Sequence, residues 1–349
     1  MPRRGEASAA RELYATALES APDARSRAEA LEGLGHAAYR SGRPRDAAEF
    51  LEEALGFLDG AAWERPDLAE TLGRAYADLG ELERATVIFE RCRRHFHEQG
   101  DREQEIRFGC LVGYALTDRG MFAEAERALA DAVAAGEGID DPLVRARLCW
   151  AQARLRGEQG LSEMAAEHAR AALEILRPTE HKHFLAQTYE LLASLSIDLG
   201  HAEEALSLLR AGWPLLIVNA TPLEVAHYRI EEARALAASG EREGASAVAM
   251  RVVAQLDGTH PSDMGRAYVL LGEIFDKLGD VVQARHFYEV GITLLEGLGP
   301  SRYLAAAYRR LGELFEAEYR SEDALVVIRR ALEVELRVRP RVDTSATAA

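Results

Sequence analysis

The sequence has no uninterrupted apolar run approaching the roughly 18 residues of a membrane span, and no basic segment leading into an apolar stretch at its start. A membrane-spanning or secreted chain is therefore not expected, and the cytoplasm is the expected compartment. Cysteine stands only at Cys92, Cys110 and Cys149, with no paired spacing, which excludes a disulfide framework and suits a reducing environment. Lysine is confined to Lys182 and Lys277, so nearly all of the 42 basic residues are arginine. Codon usage in a GC-rich genome accounts for that bias, and so would selection for pairing with carboxylates. The 58 acidic residues outnumber the basic ones and leave a formal charge of −16, which repels nucleic acid as a whole.

Reaction chemistry is also missing. There is no glycine-rich phosphate loop, no Gly-x-Ser-x-Gly elbow and no His-Glu-x-x-His motif. His95 and His97, like His181 and His183, are two residues apart and on a helix would point to nearly opposite faces. Cys92 and His95 are better spaced, but two ligands do not make a zinc site. No catalytic residue, metal or cofactor is assigned, and the chain is read as a non-enzyme.

What the sequence does contain is a repeat. Leu270, Leu271, Ile274, Phe275 and Leu278 recur at helical spacing, Gly279 and Asp280 interrupt, and a second periodic run follows through Val282, Phe287, Tyr288, Ile292 and Leu295. This describes one helical hairpin. The turn residue recurs at Gly5, Gly42, Gly80, Gly120, Gly160, Gly200 and Gly240, and again as Tyr319, at intervals of 37 to 40 residues. Five positions after each turn stands an alanine: Ala10, Ala47, Ala85, Ala125, Ala165, Ala205, Ala245, Ala284 and Ala324. In a chain with 62 alanines, nine such coincidences have a chance probability on the order of 10⁻⁷, so the repeat is real. Small residues also stand seven before the turn, as at Gly35, Gly73, Ala153 and Gly272, and commonly twelve after it, as at Ala17, Ala54 and Cys92. They mark places where facing helices approach closely.

The Leu-Gly pairs at Leu34-Gly35, Leu72-Gly73, Leu271-Gly272 and Leu311-Gly312, the aromatics Tyr76, Phe275 and Phe315, and the alanine after each turn resemble the tetratricopeptide repeat. The likeness runs over about residues 5 to 338. The period of about 40, rather than the usual ~34, resembles the repeat regions of bacterial helix-turn-helix transcriptional regulators. The resemblance implies an all-α, right-handed superhelical solenoid of about eight hairpins. Residues 1–21 are expected to be a partial first repeat holding only its second helix, 22–338 a continuous solenoid, and 339–349 a disordered tail. Pro22, Pro66, Pro142, Pro178, Pro222, Pro261 and Pro300 are expected to open hairpins, with Asp101 doing this for one that lacks proline.

In this family the first helix of each hairpin lines the concave surface. Carried over, that places Arg107, Cys110 and Tyr114, then Arg147, Trp150 and Arg154, then His227, Ile230 and Arg234 in a groove, each set on one helical stripe. Two readings stand. The groove is positive and aromatic and takes an acidic protein or peptide, or Trp150 is core and the arginines pair with carboxylates of neighbouring repeats. Related co-chaperones and peptide sensors hold ligands with asparagines, whereas this chain has one, Asn219. The joint around Trp213 and Pro214, and the final helix with Val327 and Leu332, are apolar enough either to pack locally or to meet a second copy of the chain. The expected role is protein or peptide binding within a transcriptional regulator, with a free-standing scaffold or an accessory subunit of an enzyme as alternatives. Direct nucleic-acid or membrane contact is not expected.

Overall fold

The computed structural model describes residues 3–41, 43–58, 63, 65–218, 220, 222–254 and 261–338, and these residues hold seventeen α-helices and no β-strand. Helix α1 (Arg3–Ser20) is followed by eight hairpins. These are α2 (Ala24–Arg40) with α3 (Pro44–Phe57), α4 (Pro66–Asp78) with α5 (Leu82–Gln99), α6 (Arg102–Asp118) with α7 (Phe122–Ala135), and α8 (Pro142–Glu158) with α9 (Ser162–Leu176). Then come α10 (Lys182–Asp198) with α11 (Ala202–Leu216), α12 (Pro222–Ser239) with α13 (Arg242–Val253), α14 (Pro261–Lys277) with α15 (Val281–Glu296), and α16 (Arg302–Ala317) with α17 (Ser321–Val338).

Helix starts follow local chemistry. Asp23, Asp101, Asp141, Asp280 and Ser301 each accept a hydrogen bond from the backbone N–H three residues on, which satisfies one of the free donors of a first turn. Asp101 thus caps α6 where no proline is present. Pro66, Pro142, Pro222 and Pro261 open their helices as expected, and Pro44 opens α3 as well. Pro22, Pro178 and Pro300 instead lie in the connections, so they break the preceding helix rather than begin the next.

Hairpin turns are copies of one another. Gly80, Gly120, Gly160, Gly200, Gly240 and Gly279 have φ from 74° to 89°, and Tyr319 joins them at 61°. In all seven the next residue's N–H donates to the carbonyl five residues back, from Glu81 to Tyr76 through Arg320 to Phe315, at 2.7 to 2.9 Å. This left-handed cap covers carbonyls that the helix end leaves free. Gly42 lies outside the described residues. Gly5 is not a turn, because α1 runs through it as one helix; an isolated glycine costs a helix only about 1 kcal/mol, which its helix-forming neighbours outweigh.

The packing rule behind the small residues is sharper than close approach. A Cβ placed on Gly35, Gly113, Gly272 or Gly312 would stand 2.5 to 2.6 Å from Leu51, Leu129, Tyr288 or Ile328 respectively, and one on Gly73 would strike the Phe89 ring. Each of these large residues lies nine positions after the turn, so the glycine seven before the turn is its socket. Where the socket is Ala153 or Ala233, the matching residue is Ala169 or Ala249, and all four are buried. Alanines five after the turn, from Ala47 to Ala324, are at most 2% exposed. Ala17 on α1 is exposed, unlike its counterparts on later hairpins.

First helices of successive hairpins touch along most of the array, as α2 does α4, α4 does α6, α6 does α8 and α10 does α12, whereas second helices meet marginally at most. The first helices therefore line the inner side of the curve. The curve is tight enough for α14 to come against α4, and the Leu298 carbonyl lies so close to Gly80 that a Cβ there would meet it at 2.7 Å.

Two stability outcomes follow from this geometry. Gly272→Leu should lower unfolding free energy by about 1–3 kcal/mol or more through collision with Tyr288. Tyr319→Gly should raise it by about 0.5–1 kcal/mol, since Tyr319 holds a left-handed backbone and its side chain is almost fully in solvent. Urea denaturation reads both, and leucine tolerated at position 272 would remove the socket rule.

Candidate functional site

The inner wall is built from stripes two, six, ten and thirteen residues before each turn. Its arginines reach backward to the preceding hairpin. Arg107 donates from Nε to Glu70 at 2.7 Å and from a terminal nitrogen to Asp67 at 2.6 Å. Arg154 donates to both oxygens of Asp118 at 2.8 and 2.9 Å. Arg234 meets Asp198 at 2.9 Å, Glu231 at 2.6 Å and the Ser194 hydroxyl at 3.0 Å. Farther along, Arg310 pairs with Glu273 at 3.1 Å. The Arg107, Arg154 and Arg234 side chains are 13 to 26% exposed, although Asp67 and Asp198 reach solvent, so these pairs bind hairpin to hairpin more firmly than fully exposed ion pairs would. Burial would push the Glu70 carboxyl upward, but Arg74 and Arg107 outweigh it and hold the group at about 2.

Arg147 is different. It is half-buried on α8 and has no hydrogen bond or ion pair among the described residues. Around it are Tyr114 and Trp150, whose rings meet edge to face with centroids 5.8 Å apart, and the Arg154 guanidinium lies 5.3 Å over Tyr114. Burial raises the Cys110 thiol to about 12, with nearby Arg147 opposing it. Cys110 and Ile230 are themselves fully buried, so neither lines the groove as their stripe position predicts; both point into the core between helices. His227 is half-buried on α12.

The wall between α10 and α12 carries the opposite charge. Half-buried Glu190 has no hydrogen bond or ion pair among the described residues, and burial, with Glu231 and Glu224 adding to it, pushes its carboxyl well above the usual range. Glu224 also meets His183 at 2.9 Å and Gln187 at 3.3 Å. The groove is therefore not uniformly positive: arginines gather on α6 and α8, carboxylates on α10 and α12. In the sequence this carboxylate group was hidden among the chain's many other acidic residues.

The remaining expected residues are placed as follows. Trp213 packs on Tyr228 at 5.8 Å, and Arg229 lies 3.8 Å over its ring, so the chain itself covers much of it. Helix α11 continues through Pro214 and ends two residues later. Val327 is half-buried, whereas Leu332 is 56% exposed beside Leu325, Val326 and Leu336. Asn219 and residues 339–349 lie outside the described residues. His95 stacks on Trp63 at 5.3 Å and His97 meets Glu105 at 2.9 Å. Among the described residues no three potential ligands converge on a metal position.

Glu190 makes a pH-dependent outcome testable. Its folded pKa is above its unfolded one, so the stability associated with its neutral form is complete below the unfolded value and is lost as pH rises through the folded one. Glu70 has the opposite sign, with stability present above the usual carboxylate value of 4.5 and lost as pH falls toward about 2. Glu190→Gln should raise the melting temperature at neutral pH and flatten its decline as pH rises above the ordinary carboxylate range, leaving the acid limb unchanged. Parallel melting curves for parent and variant across that range would contradict the assignment.

No protein-family model matches the chain, and no curated protein matches its sequence. Its fold is similar to that of a Rap protein complexed with competence and sporulation factor, with TM-score 0.67, 13% identity, and coverage of 96% of this chain and 99% of that one. It is similar to the apo form of RapI, with TM-score 0.59, 16% identity, and coverage of 78% and 98%. The Cut9–Hcn1 hetero-tetramer of APC/C gives TM-score 0.60 at 12% identity, over 95% of this chain and 58% of that one. At such identities the likeness is one of fold. Together with seven turns of one backbone geometry and the socket rule, it shows that this chain has a helical-repeat fold of the tetratricopeptide type.

Proposed function

We propose that the chain is a non-enzymatic module that binds an extended protein or peptide segment along its inner wall. The observation that carries this reading is Arg147, a half-buried guanidinium without a carboxylate among the described residues on a wall where Arg107, Arg154, Arg234 and Arg310 each have one, and set beside Tyr114 and Trp150. Such a group takes a carboxylate in a bidentate hold, and the aromatic edges add apolar contact, a composition common in binding hot spots. The carboxylates of α10 and α12 favour a segment that is acidic toward α8 and neutral or basic beyond it. Support from outside the chain comes from a Rap protein described in complex with competence and sporulation factor, and from a Rap conjugation gene regulator in complex with the Phr* peptide. We place the chain in the cytoplasm, as the sensory part of a bacterial transcriptional regulator.

A second reading rests on α17. Its exposed Leu325, Val326, Leu332 and Leu336 suit a scaffold or a homodimer, in which that face is covered by another protein or a second copy.

Selection from a random-peptide display library tests the first reading. Peptides enriched on the parent should carry a side-chain or terminal carboxylate, and Arg147→Glu should weaken them at least tenfold, a loss of about 1.4 kcal/mol, without a change in melting temperature. Arg154→Ala should behave otherwise, destabilising the fold by about 1–3 kcal/mol because Asp118 loses the guanidinium that neutralises it. Enriched peptides that bind Arg147→Glu as well as the parent would place recognition elsewhere.

A further inference from the structure

The inner wall is touched by the far end of its own chain. Tyr303, near the start of α16, donates its hydroxyl to Asp118 Oδ1 at 3.1 Å, across 185 residues of sequence. That same carboxylate accepts both hydrogen bonds of Arg154. The Arg266 guanidinium lies 4.0 Å over the Tyr303 ring, so the phenol is held on its face as well as at its tip. A second contact stands beside it, where the Leu298 carbonyl, in the connection leading to α16, lies against the Gly80 turn. The seventh and eighth hairpins are thereby joined to the second and third.

These contacts differ in kind from the rest of the array. Neighbouring hairpins share a continuous apolar core, and their register is set many times over. Across the superhelix the closure includes the Tyr303 hydroxyl on Asp118, the approach of α14 to α4 and the Leu298 carbonyl against Gly80, while Arg266, on the hairpin next to it, holds the Tyr303 ring in place. A solenoid is a chain of nearest-neighbour units, so small rotations at each joint accumulate into a large movement of its ends. A polar contact between distant units is the element that selects one curvature out of many.

We propose that Tyr303 is a latch which holds the superhelix closed over its own inner wall, and that its release from Asp118 is the step that opens the wall to a partner. The latch itself stands on the geometry alone; only its link to a partner rests on the inner wall being the binding site. Closed and open forms are then two populations of the free protein, and a ligand that engages Asp118 or Arg154 draws on the open one. The charge on Asp118 makes the hydrogen bond stronger than a neutral one, enough to set the balance between the two forms.

Distance measurement between spin labels tests this without any ligand. Labels go on cysteines introduced at the exposed positions Glu83 on α5 and Glu322 on α17, with Cys149→Ser to remove the one native thiol that is not buried. The parent should give a single narrow distribution. Tyr303→Phe removes only the hydroxyl and should lower the closed-to-open ratio about tenfold, adding a longer and broader population; Tyr303→Ala, which also releases Arg266, should open the molecule further. Helicity and melting temperature verify that both variants remain folded, and the phenylalanine variant suffices if the alanine one is not. Distributions identical to the parent in Tyr303→Phe would overturn the proposal. In the peptide-display assay the opened variant should retain peptides about tenfold better. An opened variant with unchanged peptide retention would uphold the latch and count against the inner wall as the binding surface.

Discussion

Everything in this molecule depends on one helix crossing repeated along the chain. A large side chain nine residues after the turn enters the space left by a missing or minimal side chain seven residues before it, as Phe89 does at Gly73 and Tyr288 at Gly272. The crossing fixes how near the two helices lie and how they are rotated. The buried alanine five residues after the turn keeps the start of the second helix equally close. Protein interiors are packed densely enough that one added carbon at such a point is felt, so the hairpin has one geometry, and a solenoid built of identical joints acquires one curvature.

The turns serve that crossing. A left-handed residue followed by a hydrogen bond reaching back five residues reverses the chain in the smallest number of residues, and it does so seven times with nearly the same dihedral angle. Glycine takes this conformation without steric cost; Tyr319 takes it under the compulsion of the flanking helices. The irregular position is thus strained locally to preserve a repeat that is regular globally.

Electrostatics supplies the next level of order. With a formal charge of −16, a chain of this kind repels itself unless its arginines are placed well. They stand where a carboxylate of the previous hairpin can be reached, as Arg154 reaches Asp118 and Arg234 reaches Asp198. Each pair links hairpins that otherwise touch through apolar faces. Arg147 and Glu190 are the exceptions, and they face the same groove with opposite sign. A protein that has satisfied its other inner-wall charges so consistently has left these two where a ligand could use them.

Much of this was legible in the sequence. Periodicity near 3.6 and the spacing of glycine and alanine are local properties, and the helix, the turn and the crossing are decided by interactions within about 25 residues. The hairpins, their number and the burial of the small residues from Gly35 onward could therefore be read directly, whereas on α1 Gly5 makes no turn and Ala17 is exposed. Pairing of arginine with acid on the preceding hairpin was written in the recurring separations of 36 and 37 residues, from Asp118 to Arg154 and from Glu70 to Arg107, but a charge pattern alone does not say whether a side chain turns inward or into solvent. Which charges remain free is a difference between many placed side chains, and it emerged only with the fold. The meeting of Tyr303 with Asp118 is further removed still. It depends on the pitch summed over five hairpins, a quantity to which every joint contributes and which no single stretch of sequence encodes.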